Sequence, residues 1–94
     1  MLRIEHNEQG ILLLIGRFDA SQEETAMKAF NQFDHSTEVD CSQLEYISSA
    51  GIGVLIATQK RLMQRNEQLI LKNLNPHIIE IFRYAGLDTI FSIK

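Results

Sequence analysis

Val39-Asp40-Cys41-Ser42-Gln43-Leu44-Glu45-Tyr46-Ile47-Ser48-Ser49-Ala50-Gly51-Ile52-Gly53-Val54-Leu55 changes periodicity within a few residues. Its beginning, Glu38 to Cys41, reads as a short strand. The polar step Ser42-Gln43 then leads through Leu44 to Ile47 to two serines and a helix over about Ala50 to Arg65. On a wheel of about 100° per residue, Ile52, Leu55, Ile56, Gln59, Leu62 and Met63 share one side, which predicts the core stripe. Val54 then falls opposite, exposed within one turn of Ser49. Lys60, Arg61 and Arg65 suit the negative end of the helix dipole, and Asn66 suits a left-handed stop.

The flanks repeat the alternation of strand and helix. Leu2, Ile4 and His6 alternate with polar residues, and Gly10 to Phe18 follows the polar turn Asn7-Glu8-Gln9, so the chain opens on a hairpin. Ser21 and Glu24 have capping-box spacing and predict the start of a first helix, with Ala26, Ala29, Phe30 and Phe33 inward and Asp34-His35-Ser36 as its end. Gln68 to Lys72 reads as a fourth strand. Asn75-Pro76 reads as a cap and first helical position for a third helix carrying Ile78, Ile81, Phe82 and Ala85, with Gly86 closing it and a last short strand over Ile90 to Ile93. Right-handed crossovers make this an α/β domain over residues 1–94: a mixed, mostly parallel sheet of four to five strands with an N-terminal hairpin and helices packed on it.

Composition narrows the function classes. With 94 residues the chain has room for one core, and 45% hydrophobic with 22% charged residues is ordinary globular usage. Nine Lys and Arg against twelve Asp and Glu leave a net charge of −3, without the clustered positive field that nucleic acid or an anionic membrane attracts. The longest apolar run, Ile11 to Ile15, is far short of the roughly 18–20 residues that span a bilayer, so a cytoplasmic protein without membrane insertion is expected. The single cysteine, Cys41, reads as a buried, inert strand residue.

Catalytic readings find little support. Gly51-Ile52-Gly53 lacks the third glycine and the distant acid of a dinucleotide fingerprint. Ile47 stands where a serine-hydrolase elbow around Ser49 needs glycine. His6, His35 and His77 have no metal-ligand spacing with one another or with Cys41. No enzyme activity, cofactor or metal is therefore expected. The serine pair stands at a strand exit and helix start, where open α/β sheets place their sites. Local chemistry alone makes one of the two an N-cap. Gly51 and Gly53 in the first helical turn suggest a close approach or a tight turn.

The quoted stretch resembles the signature segment of STAS domains, specifically bacterial anti-sigma factor antagonists. Gly16-Arg17-Phe18-Asp19-Ala20-Ser21 is similar to that family's first motif. Leu74-Asn75-Pro76 and Phe82 to Phe91 are similar to its closing helix and end, so the resemblance covers nearly the whole chain. It implies a domain that binds a GHKL-type anti-sigma factor kinase when unphosphorylated, is released by phosphorylation of one serine, and is reset by a PP2C-type phosphatase. By position the acceptor is Ser49, the serine before the small residue and glycine, with Ser48 the lesser candidate where the family often has aspartate. The resemblance also places Asp19 beside the site, so the expected partner surface comprises Asp19, Ser21, Ser48, Ser49, Ala50 and Gly51, and the wheel adds Val54 because it turns outward within one turn of Ser49. The alternative is a STAS subunit that binds a transporter ATPase or signalling scaffold without a phosphorylation cycle.

Overall fold

The computed structural model describes all 94 residues, Met1–Lys94. Strands β1 (Leu2–His6) and β2 (Leu12–Phe18) form an antiparallel hairpin. The turn between them is held by the Asn7 carboxamide oxygen, which accepts from the N–H groups of Gln9 and Ile11. A single 3-10 turn, Ala20–Gln22, leads into α1 (Glu23–Phe30), followed by β3 (Thr37–Ile47), α2 (Ser49–Met63), β4 (Leu69–Lys72), α3 (Pro76–Tyr84) and β5 (Ser92–Ile93). The five strands lie in one sheet in chain order, β1-β2-β3-β4-β5, parallel from β2 onward.

That order decides where the helices go. Three right-handed crossovers that step in the same direction place α1, α2 and α3 on the same side of the sheet. Leu12, Leu14, Phe18, Val39, Cys41, Leu69 and Leu71 point to that side and are buried with Ala26, Phe30, Leu55, Leu62, Ile78 and Phe82. Residues between them, among them Leu13, Ile15, Glu38, Asp40, Ile70 and Lys72, are only half-buried and face the side without helices. There, charges lie over the apolar row. Arg3 pairs with Glu5, Lys72 pairs with Glu38, and the Arg17 guanidinium lies 4.3 Å from the centre of the Tyr46 ring.

Several expectations need correction. The Ser42-Gln43 step does not end a strand: β3 runs through it for 11 residues. Between Leu13/Ile15 and Gly16/Arg17 the pairing with β2 slips, each time leaving one extra residue on β3, so polar side chains turn outward in pairs while the ladder continues. Ser21 and Glu24 do not cap the first helix: the capping box lies two residues earlier, on the 3-10 turn, and α1 itself begins after Gln22 without a side-chain cap. Asp19 is the N-cap, and Gln22 returns its side chain to the Asp19 N–H. α1 also stops at Phe30, before Asp34-His35-Ser36.

The face that α2 buries is rotated by roughly 75° from the predicted one on the same wheel. Gly51, Val54, Leu55, Thr58, Gln59 and Leu62 are buried, whereas Ile52 and Ile56 are half-exposed and Met63 is 57% exposed. Hydropathy misleads because the buried stripe takes in Gly51 and the polar Thr58; the hydrogen bonds of Thr58, and of Gln59 beside it, are met inside the fold. Thr58 donates to the Val54 carbonyl at 2.8 Å. Gln59 accepts from the Leu69 N–H at 2.7 Å and donates to the Ile90 carbonyl at 2.8 Å, joining α2 to β4 and to the segment before β5.

The remaining ends follow local rules. Asn75 caps α3, accepting from the Ile78 N–H at 2.9 Å with Pro76 at the first helical position. Asn66 and Gly86 take left-handed conformations after α2 and α3. Arg61 donates from one terminal nitrogen to the carbonyls of Phe30 and Phe33, tying the end of α1 to α2. Cys41 is fully buried, and burial, followed by the neighbouring Asp40 charge, pushes its thiol up to about 12. It stays a neutral core thiol.

Gly16 marks the second slip, with φ of +98°, and a β-carbon there would collide with the Met1 carbonyl oxygen. Gly16→Ala should therefore lower stability by about 1–3 kcal/mol in urea unfolding. Wild-type stability in that variant would contradict this account of the β1–β2 corner.

Candidate functional site

The site is built where β2 and β3 end side by side. Phe18 and Ile47 are paired in the sheet, and the Phe18 carbonyl accepts from the Ser48 N–H at 2.8 Å, extending the ladder one residue past β3. The chain then turns abruptly into α2. Ser48 is extended, with φ −87° and ψ 171°, and its hydroxyl oxygen accepts from the Gly51 N–H at 3.2 Å. It is therefore the N-cap, and its side chain is half-buried in that role. Ser49 occupies the first helical position, is exposed, and has no cap to make. The two serines, equivalent in local chemistry, are separated by geometry: Ser48 holds the helix and Ser49 presents a hydroxyl to solvent.

Gly51 is needed for packing. A β-carbon there would lie 2.9 Å from Ile47 Cγ1 and 3.0 Å from Phe18 Cγ, so only glycine lets the first turn of α2 sit on the ends of both strands. The close approach inferred from the sequence is real, although side chains make it and not another backbone. Gly53 differs: it is exposed, and a β-carbon there would meet nothing within 4 Å.

Asp19 stands one residue beyond Phe18, as Ser48 stands one beyond Ile47. Its carboxylate accepts from the Ser21 N–H at 3.0 Å and the Ser21 hydroxyl at 2.6 Å, and Gln22 donates to Ser21 Oγ at 2.9 Å. The Ser21 hydroxyl, then the Ser21 N–H, holds the Asp19 carboxyl below its ordinary value, so Asp19 is a fixed anion at neutral pH. The 3-10 turn that carries Asp19 and Ser21 packs against α2.

Of the residues assigned to a partner surface, Asp19, Ser21, Ser48, Ser49 and Ala50 gather at this end, Ser21 and Ser49 exposed and the others half-buried. Gly51 supports them from beneath. Val54 is the exception: it is fully buried in the core, so its side chain can reach no partner, and the expectation that it is exposed is overturned by the rotation of α2. The solvent-facing continuation of Ser49 is instead Gly53 and Ala57, at intervals of four, flanked by half-exposed Ile52 and Ile56. The exposed Gly53, which no packing requires, was the signal in the sequence that could have identified that face.

The terrace formed by these residues is not a ligand crevice. Strand order never reverses, so the fold has no switch point at which the strand ends part to admit a small molecule. The concavities lie elsewhere. One of about 370 Å3 runs along the outer side of α3 by His77, Glu80, Ile81, Tyr84 and Ala85. Another of about 300 Å3 lies at the opposite end of the sheet, by Ser36, Gln59, Met63 and Glu67. No helix is long and apolar enough to cross a membrane.

Comparison with known proteins gives a consistent picture. A family model described as "Mlab, STAS domain" matches residues 3–93. A putative anti-sigma factor antagonist, BtrV of Bordetella bronchiseptica, is 40% identical over 55 residues, 58% of this chain and 47% of that protein. The anti-sigma-B factor antagonist of Listeria monocytogenes is 34% identical over 56 residues, 60% of this chain and 49% of that protein. These matches thus span about half the length of each relative. Among solved structures, a putative anti-sigma factor antagonist of Thermotoga maritima superposes with a TM-score of 0.81 at 18% identity, covering 99% of this chain and 85% of that one. The Bacillus cell fate determinant SpoIIAA in its phosphorylated form gives 0.72 at 16% identity, covering 100% and 91%. At those identities the likeness is one of fold.

The geometry separates the two serines by stability. Ser48→Ala removes the cap and should lower stability by about 0.5–2 kcal/mol. Ser49→Ala should stay within about 0.5 kcal/mol of wild type. Urea melts of the two variants measure the difference, and reversed values would contradict the assignment of the cap.

Proposed function

The chain belongs to the STAS domain family, and on that premise we propose that it is an anti-sigma factor antagonist that works by partner switching at Ser49. In this reading the unphosphorylated domain docks its terrace of Asp19, Ser21, Ser49 and the Gly53 side of α2 on an anti-sigma factor of GHKL kinase type. That kinase phosphorylates Ser49 and releases the domain, and a PP2C-type phosphatase resets it. The observation that carries the reading is the division of labour at the helix start: one serine is consumed as the cap, and the next offers an uncommitted, exposed hydroxyl.

Electrostatics supports the same reading. Phosphate adds about −1.5 to −2 charges, and the first turn of a helix tolerates an anion because its dipole and free N–H groups favour one. α2 has no acidic residue in its first turn, so a phosphate there meets no like charge from its own helix. The fold is expected to persist while the surface changes. A dianion beside the fixed Asp19 carboxylate presents a strongly hydrated patch that a docking partner must strip of water. Release therefore needs no conformational change. Small side chains at Ser49, Gly53 and Ala57 allow a partner's backbone to come close.

Ser49→Asp should weaken binding of the cognate kinase at least tenfold, about 1.4 kcal/mol, whereas Ser49→Ala should bind as wild type does but accept no phosphate. Calorimetry together with intact-mass analysis after incubation with kinase and ATP reads both. Equal affinities for the two variants, with no phosphate on wild type, would overturn the switch in favour of a constitutive STAS subunit on a transporter ATPase or scaffold.

A further inference from the structure

The outer edge of β1 leaves five residues of backbone unpaired along the whole strand, and its sequence is complementary to itself. Within the hairpin, the Met1 carbonyl accepts from Arg17 N–H and the Asn7 N–H donates to the Ile11 carbonyl. In an antiparallel pair, backbone groups alternate sides, so the odd-numbered residues of β1 turn theirs toward β2, and Leu2, Ile4 and His6 turn theirs outward. Sheet edges are ordinarily blunted by proline, bulges or brevity. The opposite edge is: β5 has two residues. β1 has no proline, and it pairs with β2 through five consecutive positions without a slip.

From this, the geometry points to a second copy of the chain as the partner of this edge, two β1 strands pairing antiparallel about a two-fold axis through Ile4 to make one continuous sheet. In that register Ile4 faces its counterpart, Leu2 faces His6 of the other copy, and their outward N–H and C=O groups meet as hydrogen-bonded pairs. Arg3 faces Glu5 of the other copy, twice. These fall at the non-hydrogen-bonded positions, where Cα atoms approach to about 4.5 Å and side chains are closest. Arg3 and Glu5 already pair within one chain at 2.8 Å on the side without helices, with side chains 70% and 48% exposed. The two copies thus bring together four charges of alternating sign.

Charge also selects the register. Sliding by one pair toward the N-terminus puts Arg3 against Arg3, and sliding the other way puts Glu5 against Glu5, so only the register centred on Ile4 matches opposite signs. β2 lies between β1 and the strand that leads to Ser49, so the seam does not involve the end of β3. The pairing does not depend on the switch. One edge-to-edge seam is small, so association should be weak and concentration-dependent.

Sedimentation equilibrium up to about 1 mM chain, the weak end of specific association, tests this. Wild type should approach twice the 10.8 kDa of one chain. Arg3→Glu and Glu5→Arg should each weaken self-association at least tenfold, with circular dichroism melts lowered only slightly and equally, because the Arg3–Glu5 pair that both variants break is exposed. An equimolar mixture of the two variants should recover the dimer, since each then faces opposite charges. A monomeric wild type, single variants that still dimerise, or a mixture that stays monomeric would each overturn the proposal.

Discussion

The hydrogen bond from the Ser48 N–H to the Phe18 carbonyl, with Gly51 seated on the Phe18 ring, is the junction on which the rest of the molecule depends. It carries the β2–β3 ladder one residue beyond β3 and fixes where α2 begins. From that start α2 reaches back to α1 through Arg61 and to β4 and the approach to β5 through Gln59. The orientation of one helix therefore ties together elements before and after it in the chain. Glycine at residue 51 is a condition of that contact, because a side chain would collide with both strand ends.

A fold wound in one direction has a functional consequence. With strand order equal to chain order, the helices share one side and the strand ends form a terrace without a crevice. A small substrate would find little enclosure there; what the strand ends present is half-buried Asp19 with exposed Ser21 and Ser49, the surface on which the proposed docking rests. The helix dipole, the uncommitted hydroxyl and the fixed carboxylate coincide because β2 and β3 end as neighbours. In this account the scaffold stays still and the charge on its surface changes.

Much of this was legible in the sequence, for physical reasons that can be named. The hairpin, the alternation of strands and helices, the Asn75-Pro76 cap and the Gly86 stop all rest on local backbone chemistry, and local chemistry was sufficient. What failed depended on partners distant in sequence. The β3 slips are invisible without β2 beside them, so a polar pair looked like a break. The buried face of α2 was displaced because Thr58 is satisfied by the Val54 carbonyl within the helix, and because Gly51 is buried for its lack of a side chain; Gln59, already on the expected side, is held there by Leu69 and Ile90. That error carried Val54 to the surface and hid Gly53 and Ala57. The serine pair remained ambiguous for the same reason: only the bond to Gly51 shows which of them is consumed as the cap.

The central claim is that the start of α2 accepts charge without moving. A heteronuclear NMR comparison of the chain before and after stoichiometric phosphorylation of Ser49 tests it most directly. The account predicts shifts confined to Asp19–Ser21 and the first turn of α2, with the amides of β4, α3 and β5 unchanged. Shifts spread through Leu69, Ile78 and Phe82 would show the core rearranging and would contradict a switch made by surface charge alone.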